Sequence, residues 1–261
     1  MSADRPDGRV TIIALEGIGE IEAGADLGAI LGDALEATDG VLPLEPGDVL
    51  VVTQKIVSKA EGAVVDLRTI QPRPEAVAFA ERWDRDARQI EVVLREARRV
   101  VRMERGVLIT ETPQGFVCAN GGVDASNVGP ASGDLVTLLP VDPDASAAAI
   151  RTALRERFGV DVAVIVSDSF GRPWRWGIVD VALGVAGLHA VEDLRGTPDA
   201  DGRVMKSTVR AIADELASAA ELALGKTGRR PAALVRGASP LLGEGSVRAE
   251  GLIPSDWDLF R

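Results

Sequence analysis

The chain has 261 residues, 46% of them hydrophobic and 26% charged, which allows one large domain or two small ones and excludes a mostly disordered chain. A net charge of −11, with four tryptophans, five phenylalanines and no tyrosine, repels phosphate backbones and offers little stacking surface, so nucleic acid is excluded as a partner. One cysteine, Cys118, and one histidine, His189, exclude an internal disulfide, a cysteine-rich zinc cluster and a multi-histidine metal site.

In chain order, Arg9 to Leu15 reads as a buried strand followed by a Gly-bearing loop, Glu16-Gly17-Ile18-Gly19-Glu20-Ile21. Leu27, Ile30, Leu31, Ala34 and Leu35 recur at helical spacing behind Asp26, a suitable N-cap. Val49 to Thr53 is β-branched and too apolar to be half exposed, which predicts a central strand. From Pro74 to Arg99 the spacing predicts one long helix or two abutting ones. Val107–Thr110 and Phe116–Ala119, around Pro113-Gln114-Gly115, predict a hairpin. Strands follow at Leu135–Leu139, Val162–Val166 and Ala232–Val235, with helices across Ala145–Phe158 and Thr208–Leu224. The run from Val179 to Leu188 has no clear period and more apolar surface than a loop leaves in water, so a partner chain is expected to help cover it. The pattern points to an α/β or α+β fold with a mixed sheet. No stretch approaches the roughly 18 apolar residues of a membrane span, and the first residues lack the apolar core of an export signal. A cytoplasmic protein with no membrane contact is the expectation.

Familiar motifs mostly fail. Gly17-Ile18-Gly19 has Glu22 where a dinucleotide fingerprint needs its third glycine. Gly225-Lys226-Thr227 ends a helical run rather than opening one, so the glycine reads as a helix terminator and not as part of a P-loop. Cys118 lies mid-strand and His189 in an apolar segment, and both read as packing residues.

Two acidic loops and a lysine pair remain. Asn120 to Gly129 carries Asp124, Ser126 and Asn127 among glycines that allow close backbone approach. Asp168 and Ser169 stand just beyond the C-terminal end of an apolar strand, where open α/β sheets hold ligands. Their oxygens suit Mg²⁺ or Mn²⁺, and an Asx-turn at a strand end is an equal reading of either aspartate. Thr53-Gln54-Lys55-Ile56-Val57-Ser58-Lys59 leaves the central strand with two of the four lysines of the chain, which favours an anion site over a solvated helix face.

Taken in this order, several stretches resemble the coenzyme F-420-0:L-glutamate ligase family, the F-420 gamma-glutamyl ligases. They are Gly47 to Gly62, Ile109-Thr110-Glu111-Thr112 through Asp124-Ala125-Ser126-Asn127-Val128-Gly129, Leu139-Pro140-Val141-Asp142-Pro143-Asp144, Ser167 to Arg175 and Asp258-Leu259-Phe260. The resemblance implies an α+β fold of mixed β-sheets with flanking helices, a single ligase domain over 1–261 and an intertwined homodimer. It implies GTP as co-substrate, Mn²⁺ or Mg²⁺, a monovalent cation such as K⁺, and the small molecules F-420-0 and L-glutamate as the other partners. By the same resemblance Ile18, Gly19, Glu20 and Ile21 fall on a first GTP loop, Gln54 and Lys59 on a second, and Asn127 on a nucleotide contact. Asp124, Asp168 and Ser169 fall on metal ligands, and Lys226 stands where relatives carry a metal-binding Gln or Glu. The chemistry implied is phosphorylation of a carboxylate by GTP and attack of the glutamate amine on the acyl phosphate. Such a site needs charge neutralisation and alignment more than a protein nucleophile, with Lys59, Arg172 and Arg175 as its basic candidates. A metal-dependent phosphohydrolase and a non-catalytic nucleotide- or deazaflavin-binding protein are the alternatives.

Overall fold

The β-branched runs of the chain become strands of one mixed sheet, and the amphipathic segments between them cover both of its faces. The computed structural model describes residues 8–126, 133–238, 241–254 and 256–259. In chain order it forms β1 (Thr11–Ala14), α1 (Leu27–Ala37), β2 (Val49–Thr53), α2 (Gln54–Ala60), β3 (Val64–Asp66), α3 (Pro74–Trp83), α4 (Ala87–Glu96), β4 (Arg99–Glu104) and β5 (Val107–Glu111). There follow β6 (Val117–Ala119), β7 (Leu135–Thr137), α5 (Pro143–Phe158), β8 (Ala163–Arg172), β9 (Arg175–Ala186), β10 (Glu192–Asp193), β11 (Val209–Arg210), α6 (Ile212–Leu224) and β12 (Ala232–Arg236). This is a mixed α+β arrangement. Among the described residues no helix is long and apolar enough to cross a membrane.

The main sheet has the order β1-β12-β2-β8-β9, with β2 in the middle as its composition predicts. Only β2 and β8 run parallel, Thr53 at the C-terminal end of β2 lying opposite Ser167 in the middle of β8. Alternation along the strands separates two cores. Leu50, Val52, Val164 and Val166 pack against Leu31 and Leu35 of α1 and Ile150 and Leu154 of α5. Val49, Val51, Ala163 and Ile165 pack against Leu216, Ala217 and Ala220 of α6. Both α1 and α5 start at aspartate caps, Asp26 Oδ1 accepting from Ala29 N and Asp142 Oδ1 from Ala145 N, each at 3.0 Å. A third core, including Leu67, Phe79, Ile90, Leu108 and Val136, lies under α3, α4 and the sheets β4-β5-β6 and β3-β7.

Of the two forms expected for the segment from Pro74, the chain takes two abutting helices, because it breaks at Asp84 with φ 51°. Three expectations change. The hairpin gains a third strand, β4, whose alternating Arg and Glu side chains hide its period. The helix expected from Thr208 starts at Ile212, since Val209–Arg210 pairs with Glu192–Asp193. The strand expected to end at Val166 runs on to Arg172 and turns into β9, which absorbs most of the apolar run 179–188. The inner part of that run, including Leu183, Val185 and Leu188, is buried within the one chain, so no partner is needed to cover it. Edge amides on β9 are closed by carboxylates: Ala182 N donates to Asp214 Oδ1 at 2.9 Å and Val185 N to Asp144 Oδ1 at 2.8 Å.

Candidate active site

The parallel pairing sets the C-terminal end of β2 beside the middle of β8. From β2 the chain passes directly into α2, which carries Gln54, Lys55, Ser58 and Lys59. In β8, Asp168 and Ser169 are part of the strand rather than of a loop beyond it, paired with Val181 and Asp180 of β9. Their side chains therefore leave on opposite faces. Asp168 lies toward Lys55 and Asp124, whereas Ser167 and Ser169 turn to Asp180, whose carbonyl accepts from Ser218 of α6.

On the first face Lys55 is the hub. Its Nζ lies 2.6 Å from Asp124 Oδ2 and donates to Ser126 O at 2.7 Å and Ser126 Oγ at 2.9 Å. Ser126 N donates to Asp124 Oδ1 at 2.7 Å, and the backbone of Asp124 exchanges hydrogen bonds with Thr137. Burial opposes ionisation of Asp124, but the hydrogen bonds from Lys55 and Ser126 outweigh it and hold the carboxyl below its ordinary range. Asp168 behaves in the opposite way. Burial, with repulsion from Asp124 and Asp180, pushes it up to about 7, and it makes no ion pair with a described residue.

The second face centres on Asp180, 3% exposed. It accepts from Ser169 Oγ at 2.6 Å, Ser167 Oγ at 3.3 Å and Lys226 Nζ at 3.1 Å. The sequence does not single out Asp180, which interrupts the apolar run from Val179 to Leu188. That interruption was the signal, because a carboxylate inside a buried strand must be paired.

The lysine expected on a second GTP loop turns elsewhere. Lys59 is buried and pairs with Glu20 Oε1 at 2.5 Å, which brings the loop holding Glu20 against α2. Gln54 is buried, accepts from Ser58 Oγ at 2.7 Å and leaves its Nε2 without a partner in the described structure. Of the first loop, Gly19 and Glu20 are exposed, Ile18 is half-buried and Ile21 lies in the core, which leaves only the backbone of Ile21 for a ligand to meet. Asn127 lies outside the described residues. Arg172 Nη2 donates to Trp176 O at 2.9 Å at the far end of the β8–β9 hairpin, beside the exposed Arg175. Burial pushes the Cys118 thiol up to about 12, which leaves no thiolate at neutral pH, and His189 Nδ1 bonds Glu250 Oε1 at 2.9 Å. Neither is a nucleophile here, in agreement with their packing roles. Gly225 ends α6, its N–H donating to Glu221 O at 2.9 Å, so no P-loop exists at that position.

The profile of the F-420-0:gamma-glutamyl ligase family matches residues 17–237. The chain belongs to that family. Relatives named coenzyme F-420:L-glutamate ligase include the Methanopyrus kandleri protein, 45% identical over 246 residues that make up 93% of this chain and 94% of the relative. The Methanothermobacter thermautotrophicus protein is 42% identical across 97% of this chain and 99% of its own, and that of Methanocaldococcus jannaschii 41% identical across 84% and 86%. The matched ligase span opens one residue before Ile18 and closes just after β12, so it contains every candidate residue on both faces.

Among the described residues no three carboxylate, thiol or imidazole side chains converge as a ready metal cage. The residues nonetheless suit a divalent ion in this ligase-family chain. Burial first and then the charges of Asp124 and Asp180 raise Asp168, and a hard cation beside it and Asp124 would offset both. Lys55 must then share Asp124 with the ion or release it.

Proposed function

We propose that this chain is a GTP-dependent ligase that joins the amine of L-glutamate to a carboxylate of coenzyme F-420-0. Membership of the gamma-glutamyl ligase family carries the reading, and the charge arrangement where β2 ends beside β8 supports it. The γ-phosphoryl group of GTP passes to the substrate carboxylate with GDP as leaving group; the glutamate amine then attacks the acyl carbon, phosphate departs and the amine loses a proton. Asp124 and Asp168 hold a divalent ion, Mn²⁺ or Mg²⁺, which when bound neutralises phosphate charge during the transfer. Lys59 with Gln54 binds nucleotide phosphate from α2, and the Ile18–Ile21 loop carries backbone groups to the same ligand. Nucleotide arrival requires Lys59 to share or leave Glu20. Asn127 is a further nucleotide contact, and K⁺ is the monovalent ion to try first. GTP and glutamate are cytoplasmic metabolites, so the reaction is placed there.

The functional unit is a homodimer. The β8–β9 hairpin presents Trp174, Trp176 and Ile178, all exposed, at its tip, and a second chain accounts for that apolar end. Incubation with GTP, Mn²⁺, F-420-0 and L-glutamate, read by mass spectrometry, tests the activity. The expected product is F-420-0 plus a glutamyl residue, formed only when all components are present, with Asp168→Asn lowering turnover by ~10²-fold or more. Nucleotide or phosphoester hydrolysis indifferent to glutamate identifies a phosphohydrolase instead, and binding without turnover a non-catalytic carrier.

A further inference from the structure

Lys226 occupies a place that has the chemistry of an ion site. Its Nζ donates to Ser169 Oγ on β8 at 2.5 Å and lies 3.1 Å from Asp180 Oδ1 on β9 and 2.7 Å from Glu221 Oε1 on α6. An ammonium has three N–H groups and no acceptor, so three oxygens from three elements satisfy it. Ser169 Oγ gives its own proton to Asp180 Oδ1 at 2.6 Å, leaving its lone pairs toward the cation. Gly225, at φ 64° after the last turn of α6, swings the chain so that the next residue meets the strand edge.

Lys226 is the only cation within ion-pair distance of buried Asp180 among the described residues. Without it, two carboxylates and a hydroxyl face one another, which is the hard oxygen set that takes Mg²⁺ or Mn²⁺. We propose that Lys226 is a tethered cation that fills this place, so that the chain holds one divalent ion per site, at Asp124 and Asp168, and supplies the second positive charge from its own sequence. The count of one rests on the reading of Asp124 and Asp168 given above; the exclusion by Lys226 does not.

Binding of Mn²⁺ alone, followed by the electron paramagnetic resonance signal of the free ion during titration, tests it without turnover. The wild type is expected to take one ion per chain, Lys226→Gln two, and Lys226→Arg one, since arginine keeps a charge in the place. Adding Asp180→Asn to Lys226→Gln should return the count to one. Two ions in the wild type, or no gain in a Lys226→Gln protein with native circular dichroism, overturns the proposal. Should Lys226→Gln fail to fold, the wild-type and Lys226→Arg counts still decide it, two ions in either being a refutation. No ion in the wild type with one in Lys226→Gln removes the Asp124/Asp168 site and upholds the exclusion by Lys226.

Discussion

Gly184 of β9 is the tightest crossing in the main sheet. A Cβ there would press into the carbonyl group of Pro143 and lie 2.5 Å from Asp144 N, at the start of α5. Ordinary carbon–nitrogen packing needs about 3.5 Å, so strand or helix must retreat by roughly 1 Å. Backbone cannot rotate away as a side chain does, and the same stretch carries the Asp144 bond to Val185 N. Gly184→Ala is therefore expected at the upper end of overpacking costs, about 3 kcal/mol. For a chain of this size that corresponds to a drop of roughly 6–12 °C in melting temperature. Gly171→Ala, in the partner strand of the same hairpin, is the control, since a Cβ there meets nothing within 4 Å. Both variants gain the same conformational restriction of the unfolded chain, so their difference isolates the steric effect. Thermal unfolding by circular dichroism at matched protein concentration measures it. A Gly184→Ala protein melting within about 2 °C of Gly171→Ala refutes the reasoning.

Lys59→Met should raise the apparent constant for GTP by ~10–100-fold and leave that for glutamate unchanged; the reverse pattern in steady-state kinetics moves Lys59 to the acceptor side. Glu91, buried beneath Arg73 and Arg95, accepts from Arg73 N at 3.0 Å, Arg73 Nε at 2.9 Å and Arg95 Nε at 2.7 Å. The hydrogen bonds from Arg73, reinforced by Arg95, hold its carboxyl at about 2 rather than 4.5. As pH falls the unfolded chain takes up that proton first, so the stabilisation is complete above about 4.5 and fades toward 2. The stability gap between wild type and Glu91→Gln in urea should accordingly narrow across that window, and a gap constant with pH contradicts the assignment. Trp176→Ser should weaken self-association by ~30-fold or more in sedimentation equilibrium, and an unchanged dissociation constant removes the hairpin tip from the interface.

Elements whose apolar residues meet one core were legible from their order alone. Val49–Thr53 needed burial on both faces and took the centre of the sheet, while Asp26 marked a helix start by a local hydrogen bond. The β8–β9 hairpin was not legible, because Ser167 to Arg172 is polar at the site and its tip carries exposed tryptophans, so neither arm alternates. The acidic loops and lysine pair were recognisable by composition. Their division was not, since the separation of Asp168 from Ser169 depends on strand pairing that the polar stretch conceals. Asp180 required knowing that its neighbours were buried, and Lys226 that a helix ends beside a strand edge.

Of the four lysines, Lys55, Lys59 and Lys226 stand at the two loops and the strand edge described above, and Lys206 lies apart in the segment before β11. Arginine supplies nearly all the remaining positive charge, and arginine is inert toward amine reagents. Reductive methylation with isotopically labelled formaldehyde thus converts a surface chemistry into a local spectrometer. A handful of dimethyl-lysine resonances will report whether a nucleotide or metal arrives, and Lys206 serves as the internal reference in the same spectrum.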